Sequence, residues 1–386
     1  MHTYDVVIVG ARLAGAATAH LLARSALRVL LVDRARYGVD TLSTHALLRG
    51  GVLQLARWGL LDKVVAAGTP PVRRSTFRYA DTVVPIAIKA SHGVDALYAP
   101  RRTVLDPILV DAAAAAGVDV RFATAVADVE RDRRGAVTGV VGRTDDGRAF
   151  AARGRVVVGA DGVRSTIAER VGAPYERVGK SVAALTYGYW NGLATDGFEW
   201  NFRPGAASGV IPTNDGKACV YASSTPLRIG RGGMEALTRV VEESSPELAA
   251  RLAAATPPRA LRTFTGHPGH VRRSWGSGWA LVGDAGYFKD PLTSHGMTDA
   301  LRDAELLARA LVAVIVGGAD ERDALAHYQR TRDALSAAFF DLTDVVAGHG
   351  WTDEEIPELL RLVNAATAEE VEALAALPAP TSTVDS

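Results

Sequence analysis

Tyr4-Asp-Val-Val-Ile-Val9-Gly10-Ala-Arg12-Leu-Ala14-Gly15 is the stretch that decides the fold. Tyr4 to Val9 is short, apolar and β-branched, which predicts a buried parallel strand. Ala14 to Ala23 is rich in Ala and Leu and predicts a helix. Gly10 permits a sharp turn between them, and Gly15 permits helix and strand to pack closely. The N-terminus of such a helix offers free backbone N–H groups and a positive dipole end to a pyrophosphate. Ala26 to Val32 predicts the next strand, and Asp33 ends it where a carboxylate would accept hydrogen bonds from a ribose. Arg12 replaces the middle glycine of the usual pattern. It either crowds the pyrophosphate or folds outward and adds its charge to the phosphates. Alone, the unit also fits an ordinary strand-turn-helix that binds nothing.

Two later segments repeat the arrangement. Val156 to Val158 runs into Gly159-Ala-Asp161-Gly162, and Ala280 to Val282 runs into Gly283-Asp284-Ala285, followed by Pro291 and His295-Gly296. Each reads as a buried strand ending in a Gly/Asp turn. Three in this order point to one extended ligand, a dinucleotide, along one sheet edge. After the third turn, Pro291 fixes the chain and Gly296 allows close approach. A helix predicted from near Thr298 through Leu311 points its positive end at the preceding loop. A ligand group that carries negative charge would be stabilised there. A plain strand-loop-helix capped by Thr298 is the alternative.

From Tyr4 to about Ala347, these segments resemble the FAD-dependent monooxygenases of the para-hydroxybenzoate hydroxylase type, relatives of the geranylgeranyl reductases and flavin-dependent halogenases. The second motif continues as Val163-Arg164-Ser165 with Arg170 further on, and the third as Asp303-Ala304. The resemblance implies that Asp284 binds the flavin ribityl chain and that His295, Gly296 and Met297 bring backbone N–H groups to the isoalloxazine. It places Arg102, opening Arg102-Thr-Val-Leu105-Asp106, near the flavin, and Val126 at the adenine. The cofactor-binding set is then Gly10, Arg12, Ala14, Gly15, Asp33, Arg34, Arg102, Val126, Asp161, Gly283, Asp284, Pro291, His295, Gly296 and Met297. Ser294 stands where many members have Gly, and Thr298 where many have Asn. Ser43-Thr44-His45 and Arg57-Trp58-Gly59-Leu60-Leu61-Asp62 suggest a less-studied branch.

The implied fold class is mixed α/β. It has a Rossmann-like FAD-binding domain of glutathione-reductase type, an inserted antiparallel-sheet substrate domain and C-terminal helices. The FAD-binding domain is predicted over 1–70, 98–178 and 270–345, the substrate domain over 71–97 and 179–269, and a helical tail over 346–386. In 179–269, Ala183–Trp190, Phe198–Phe202, Ser208–Pro212 and Ala218–Ser223 read as strands, Asn214-Asp-Gly216 as a hairpin signal, and Ser244–Ala255 as helical. In the tail, Thr352 with Glu355 and Thr367 with Glu370 each fit a capping box, and Pro378 onward reads as frayed.

With 386 residues the chain can bury a substantial core, and its 43 basic and 43 acidic residues balance. No basic excess points to nucleic acid or an anionic membrane. Of the basic residues 38 are arginine, as in GC-rich coding. Cys219 is the single cysteine, which excludes an intrachain disulfide or a redox pair and suits a buried apolar site. No apolar run approaches the ~20 residues a membrane span needs, and no charged leader precedes the first strand. A cytoplasmic protein is expected.

For chemistry, His45 is the weak catalytic candidate, able to orient or deprotonate a phenol. A hydrogen-bonded histidine in a strand-to-helix connection is the preferred reading. Trp190 and Trp200 either line a substrate pocket, as His45 would, or fill the core; Tyr187, Tyr189 and Tyr221 share that ambiguity. Lys289 and Asp290 read as a solvated charge pair near the flavin. The histidines lack metal-ligand spacing, and no metal is expected. The resemblance implies FAD with NADPH or NADH as reductant, or a separate flavin reductase, since no second Gly-rich unit is visible. It implies an NAD(P)H-dependent monooxygenase that uses molecular oxygen, through a peroxyflavin, to hydroxylate an aromatic or polyketide-like molecule of secondary metabolism. The runner-up is a flavin-dependent reductase of a carbon–carbon double bond. Phe198-Glu-Trp200-Asn-Phe202-Arg-Pro204 partly matches the Tyr-x-Trp-x-Phe-Pro segment of geranylgeranyl reductases. The third reading is a non-catalytic flavin-binding protein. The oligomeric state is left open.

Overall fold

The strand Thr3–Val9 lies in the middle of its sheet, parallel to Val29–Val32 on one side and Ala149–Gly159 on the other. The structure is a computed structural model and describes residues 3–80 and 82–379. Beyond Ala149–Gly159 lies Trp279–Leu281, and beyond Val29–Val32 lies Asp119–Arg121, all parallel. Val6, Val7, Ile8 and Leu30 to Val32 are buried, as strands covered on both faces must be. The register sets Val9 beside both Val32 and Gly159, and Gly159 beside Leu281. The three Gly-containing turns therefore emerge side by side at one edge. An antiparallel pair, Thr124–Arg131 and Val137–Thr144, extends the sheet from Ala149–Gly159.

The helix Leu13–Ala23 is buried along its whole length, between the sheet and the helices Arg102–Ala115 and Gly296–Ile315. Close packing needs the two glycines here. A Cβ on Gly10, whose φ is +108°, would lie 2.3 Å from the Ala160 carbonyl oxygen, and one on Gly15 would lie 1.8 Å from the Gly10 carbonyl oxygen.

A second sheet has seven strands, ordered Arg262–Phe264, Ala184–Asn191, Lys217–Ser224, Ala206–Pro212, Phe198–Arg203, Arg74–Tyr79 and Thr82–Ala87. The segments before and after the middle of the chain thus join in one sheet. It is antiparallel except where Phe198–Arg203 runs parallel to Arg74–Tyr79. The hairpin at Asn214-Asp-Gly216 forms, with Asp215 and Gly216 both at φ +63°. The helical stretch expected over Ser244–Ala255 is the helix Pro246–Ala254, capped by the Ser245 hydroxyl, which accepts from the Leu248 N–H, and a further helix, Met234–Ser244, precedes it. They cover one face of the sheet over Trp190, Val210 and Val220. The opposite face is aromatic, with Tyr187, Trp200, Phe202 and Tyr221. Cys219 is buried there.

The long helices Glu321–Ala347 and Ile356–Ala375 close the chain. The capping box of Thr352 and Glu355 is formed, with bonds of 2.9 and 3.3 Å. The second is not a helix start: Thr367 lies inside the last helix and donates to the Val363 carbonyl, while Glu370 turns into the protein. Of the segment expected to fray, Pro378 and Ala379 are described and the remainder lies outside the described residues. Among the described residues no helix is long and apolar enough to cross a membrane.

Candidate functional site

A cavity of about 640 Å³ runs along the edge where the three turns emerge. Its walls include Gly10, Arg12, Ala14, Asp33, Arg34, Arg102, Val126, Asp161, Asp284, Pro291, Gly296 and Met297, residues scattered over almost 290 positions of sequence. Three of the expected residues lie behind the wall. Gly15 serves helix packing, and a Cβ on Gly283 would sit 2.8 Å from that of Ala14. His295 is 1% exposed, beneath the loop.

At the first turn the backbone carries the geometry. Asp33 accepts from the N–H groups of Ala11 and Ala35, each at 2.7 Å, so its carboxylate ties the turn to the second strand. Arg12 is not directed freely at a phosphate. Its guanidinium donates to the Val39 carbonyl and lies 3.3 Å from Asp106, which also takes a two-pronged bond from Arg102 at 2.8 and 3.1 Å. At the second turn Asp161 accepts from the Ser165 hydroxyl and the Ile167 N–H, and burial raises its pKa.

At the third turn side-chain charge dominates. Burial pushes the Asp284 carboxyl up to about 6, against the pull of Arg102 and Lys289. Lys289 and Asp290 are not a solvated pair, because both are buried and each faces its own partner. Lys289 pairs with Asp299 and lies 4.6 Å from the Phe339 ring centre, and burial draws its ammonium down to about 7. Asp290 accepts from the N–H groups of Ala183 (2.9 Å) and Leu292 (3.0 Å), and burial pushes it up to about 7. The helix starts at Gly296, two residues before the expected Thr298, so the first-turn N–H groups open onto the cavity wall at Gly296 and Met297. Thr298 is therefore an interior, fully buried residue rather than a cap.

The far end of the cavity is bounded by Ser43, His45, Leu185, Tyr187, Phe264 and Phe288. His45 is buried with φ +71°, and its backbone N–H donates to the Ser43 hydroxyl at 3.0 Å. Its Nε2 bonds the Tyr189 hydroxyl, while Nδ1 has no partner. Burial, then the charges of Arg102, Arg101 and Arg262, draws the imidazole down to about 3, so it is neutral near pH 7. Tyr189 lies under Arg101, whose guanidinium carbon is 4.4 Å from the ring centre. The tryptophans are core residues and neither lines this cavity. Trp190 packs beneath the covering helices, and Trp200 bonds Ser75 at 2.8 Å within the aromatic face. Strand alternation explains Trp190, which points away from the face that carries Tyr187 and Tyr189. The sequence places Lys289 near the flavin but misses Asp299, Phe264 and Phe288, because strand and helix patterning carries no signal for which buried residue faces a cavity.

Residues 3–343 match the family model described as an FAD binding domain. Digeranylgeranylglycerophospholipid reductase 2 of Methanothermobacter thermautotrophicus is 29% identical over 383 residues, covering 93% of this chain and 91% of that protein. The 2,4-dichlorophenol 6-monooxygenase of Delftia acidovorans is 27% identical over 199 residues, 45% of this chain and 32% of that one. Among solved structures, the flavin-dependent brominase Bmp2 superposes with a TM-score of 0.82 at 20% identity, covering 98% of this chain and 96% of that one. The protein is an FAD-dependent oxidoreductase and belongs to the FAD binding domain family.

Proposed function

We propose that the protein is a monooxygenase that uses molecular oxygen and NADPH or NADH to hydroxylate an aromatic or polyketide-like small molecule. The observation that carries this is the character of the far end of the cavity. Ser43, His45 and Tyr187 lie there beside Leu185, Phe264 and Phe288. A planar molecule with hydroxyl groups matches such a wall, its ring against Phe264 and Phe288 and its hydroxyls toward Ser43 and Tyr187.

The residues present fit FAD. We assign the pyrophosphate to the N-terminus of Leu13–Ala23, where a Cβ at Gly10 would already strike the Ala160 carbonyl. Asp33 with Arg34 then takes the adenosine ribose, Val126 the adenine, Asp284 the ribityl chain, and the loop through His295, Gly296 and Met297 the isoalloxazine. Arg102, held by Asp106, stands beside the flavin. When bound, FAD supplies two-electron redox chemistry and reactivity toward oxygen. The chain's own part is to bind, orient and exclude water. His45, neutral and bonded through Nε2 to the Tyr189 hydroxyl, is a fixed part of this wall, with its Nδ1 buried and without a partner.

The second reading is a reductase of a carbon–carbon double bond, favoured by the 29% identity to a relative of that kind over nearly the full chain. The two separate cleanly. Holoenzyme is first exposed anaerobically to NADPH or NADH, and bleaching of the flavin identifies the donor; persistent colour points to a separate reductase. The reduced enzyme is then mixed with ¹⁸O₂ and a panel of phenols and naphthols, or kept anaerobic with geranylgeraniol. Incorporation of ¹⁸O into a ring supports the proposal. Anaerobic reoxidation by the alkene, with no labelled product, overturns it.

A further inference from the structure

Beneath the loop assigned to the isoalloxazine lies a buried ionic cluster whose anchor comes from the end of the chain. His295 Nδ1 is 3.1 Å from Asp299, and its Nε2 is 2.9 Å from Glu370. Arg302 reaches Asp299 at 2.9 Å, Glu370 at 2.7 Å and Asp303 at 2.8 Å. Lys289 sets a second basic group against Asp299. His295, Asp299 and Glu370 offer ligand atoms within 4.8 Å of one another, but the Arg302 guanidinium, on both Asp299 and Glu370, already brings positive charge to the place a metal ion would take.

Glu370 stands apart in origin. It belongs to Ile356–Ala375, beyond residue 343 where the family match ends. Packing alone gives no reason for a carboxylate there. Val371 and Leu374 already bury the helix, with Leu374 3.2 Å and Val371 3.8 Å from where a Cβ on Gly50 would stand. The helix end is also clamped by arginines. Arg57 donates to the carbonyls of Leu374 (3.1 Å), Leu377 (2.8 Å) and Pro378 (2.6 Å), and Arg309 to that of Pro378 at 2.5 Å. A lone buried carboxylate is costly, so Glu370 is retained with partners. His295 and Arg302 hold its carboxyl below the ordinary carboxylate range despite its burial.

The loop it touches is also held by the Ser294 N–H on the Pro291 carbonyl (2.9 Å) and by His295 against Phe339, with ring centres 4.5 Å apart, so His295 is where Glu370 acts on it. Ser294 sits in the left-handed region at φ +54°, where many residues would be strained, and the helix begins two residues later. We propose that Glu370 is a positioning residue of the flavin site: the C-terminal helix uses it to hold His295, and so fixes the Ser294–Met297 backbone that faces the isoalloxazine. This rests on the placement of the isoalloxazine given above, and not on which substrate is oxidised or reduced.

The test is a double-mutant cycle on the full-length protein with E370Q and H295Q. FAD affinity is measured by titrating apo-protein, together with the visible spectrum of the bound flavin and its midpoint potential. E370Q is expected to weaken FAD about tenfold, shift the visible band and raise the potential, because a negative charge is lost near a group that becomes anionic on reduction. H295Q should weaken FAD and shift the visible band to the same degree, without the rise in potential that loss of the carboxylate charge brings, and the double variant should weaken FAD no further than either single variant. If E370Q lowers the melting temperature but leaves affinity, spectrum and potential unchanged, or if the two effects add, the inference is overturned. Should E370Q not fold, E370D, which keeps the charge but shortens its reach, takes its place in the cycle. Loss of effect in H295Q as well would overturn the placement of the isoalloxazine. An effect in H295Q alone would overturn only the role of Glu370.

Discussion

The two ends of the cavity are built on different principles. At the first turn, between Val9 and Gly15, backbone does the work: two glycines, a helix N-terminus, and an aspartate that holds the turn through main-chain N–H groups. At the third turn, between Gly283 and Met297, side-chain charge does it, with Asp284 on the cavity wall and Lys289, His295, Asp299, Arg302 and Glu370 packed out of water. The first end is local in sequence and intolerant of volume. The second is assembled from distant segments and is sensitive to charge and pH.

The contrast breaks most readily at Gly15. In Gly15→Val the added Cβ would fall 1.8 Å from the Gly10 carbonyl oxygen, which is backbone and cannot yield. The cost should exceed about 3 kcal/mol. No folded yellow protein is expected, as read by thermal melting and bound-flavin absorbance. A stable holoenzyme would show that the first turn is looser than its geometry.

Asp284→Asn probes the other end. Loss of the carboxylate should weaken FAD more than tenfold, since a charge-assisted bond to a ribityl hydroxyl contributes about 1.5–3 kcal/mol. The apo-protein should respond differently. Asp284 is raised to about 6 in the folded chain, above its ordinary range. The folded state therefore binds the extra proton, and this contribution is fully present at pH below about 4 and lost as pH rises through about 6. The melting temperature of the apo-protein should fall over that window, and Asp284→Asn should flatten the fall. Melting curves with and without FAD from pH 4 to 8 check both points. A holoenzyme that stays fully yellow would remove Asp284 from the site.

Asp33→Asn should have a smaller effect. The carboxylate already accepts two backbone bonds at 2.7 Å, and an amide oxygen can keep one of them. FAD affinity should fall about three- to tenfold, with a modest loss of apo-protein stability. A drop as large as that of Asp284→Asn would mean that the first end also depends on charge.

The same contrast explains what the sequence could reveal. Gly10, Gly15, Asp33 and Asp284 follow a strand at fixed offsets, so spacing alone locates them, and parallel register brings their turns to one edge. The burial of Lys289 depends on Phe339 and Tyr287 around it, contacts that no local pattern encodes. Glu370 carries a capping-box spacing with Thr367, but the helix had already begun at Ile356, and tertiary burial overrode the local signal. Trp190 and Trp200 were ambiguous for a related reason. Alternation assigns a face to a strand residue, but not what covers that face.

Arg12 gives the smallest and sharpest test, because it is a charged side chain at the end governed by backbone. It stands where a glycine would give a pyrophosphate closest approach, yet its guanidinium is engaged by the Val39 carbonyl and Asp106. Asp106 is shared with Arg102, so the pair of arginines is only partly neutralised. If the helix N-terminus carries the phosphates, Arg12→Gln should weaken FAD no more than about threefold, and added salt should affect wild type and variant alike. A tenfold loss that shrinks at high salt would mean that Arg12 leaves Asp106 when FAD binds. The first end would then be a charge-built site as well, and the glycine it lacks would have been exchanged for an ion pair.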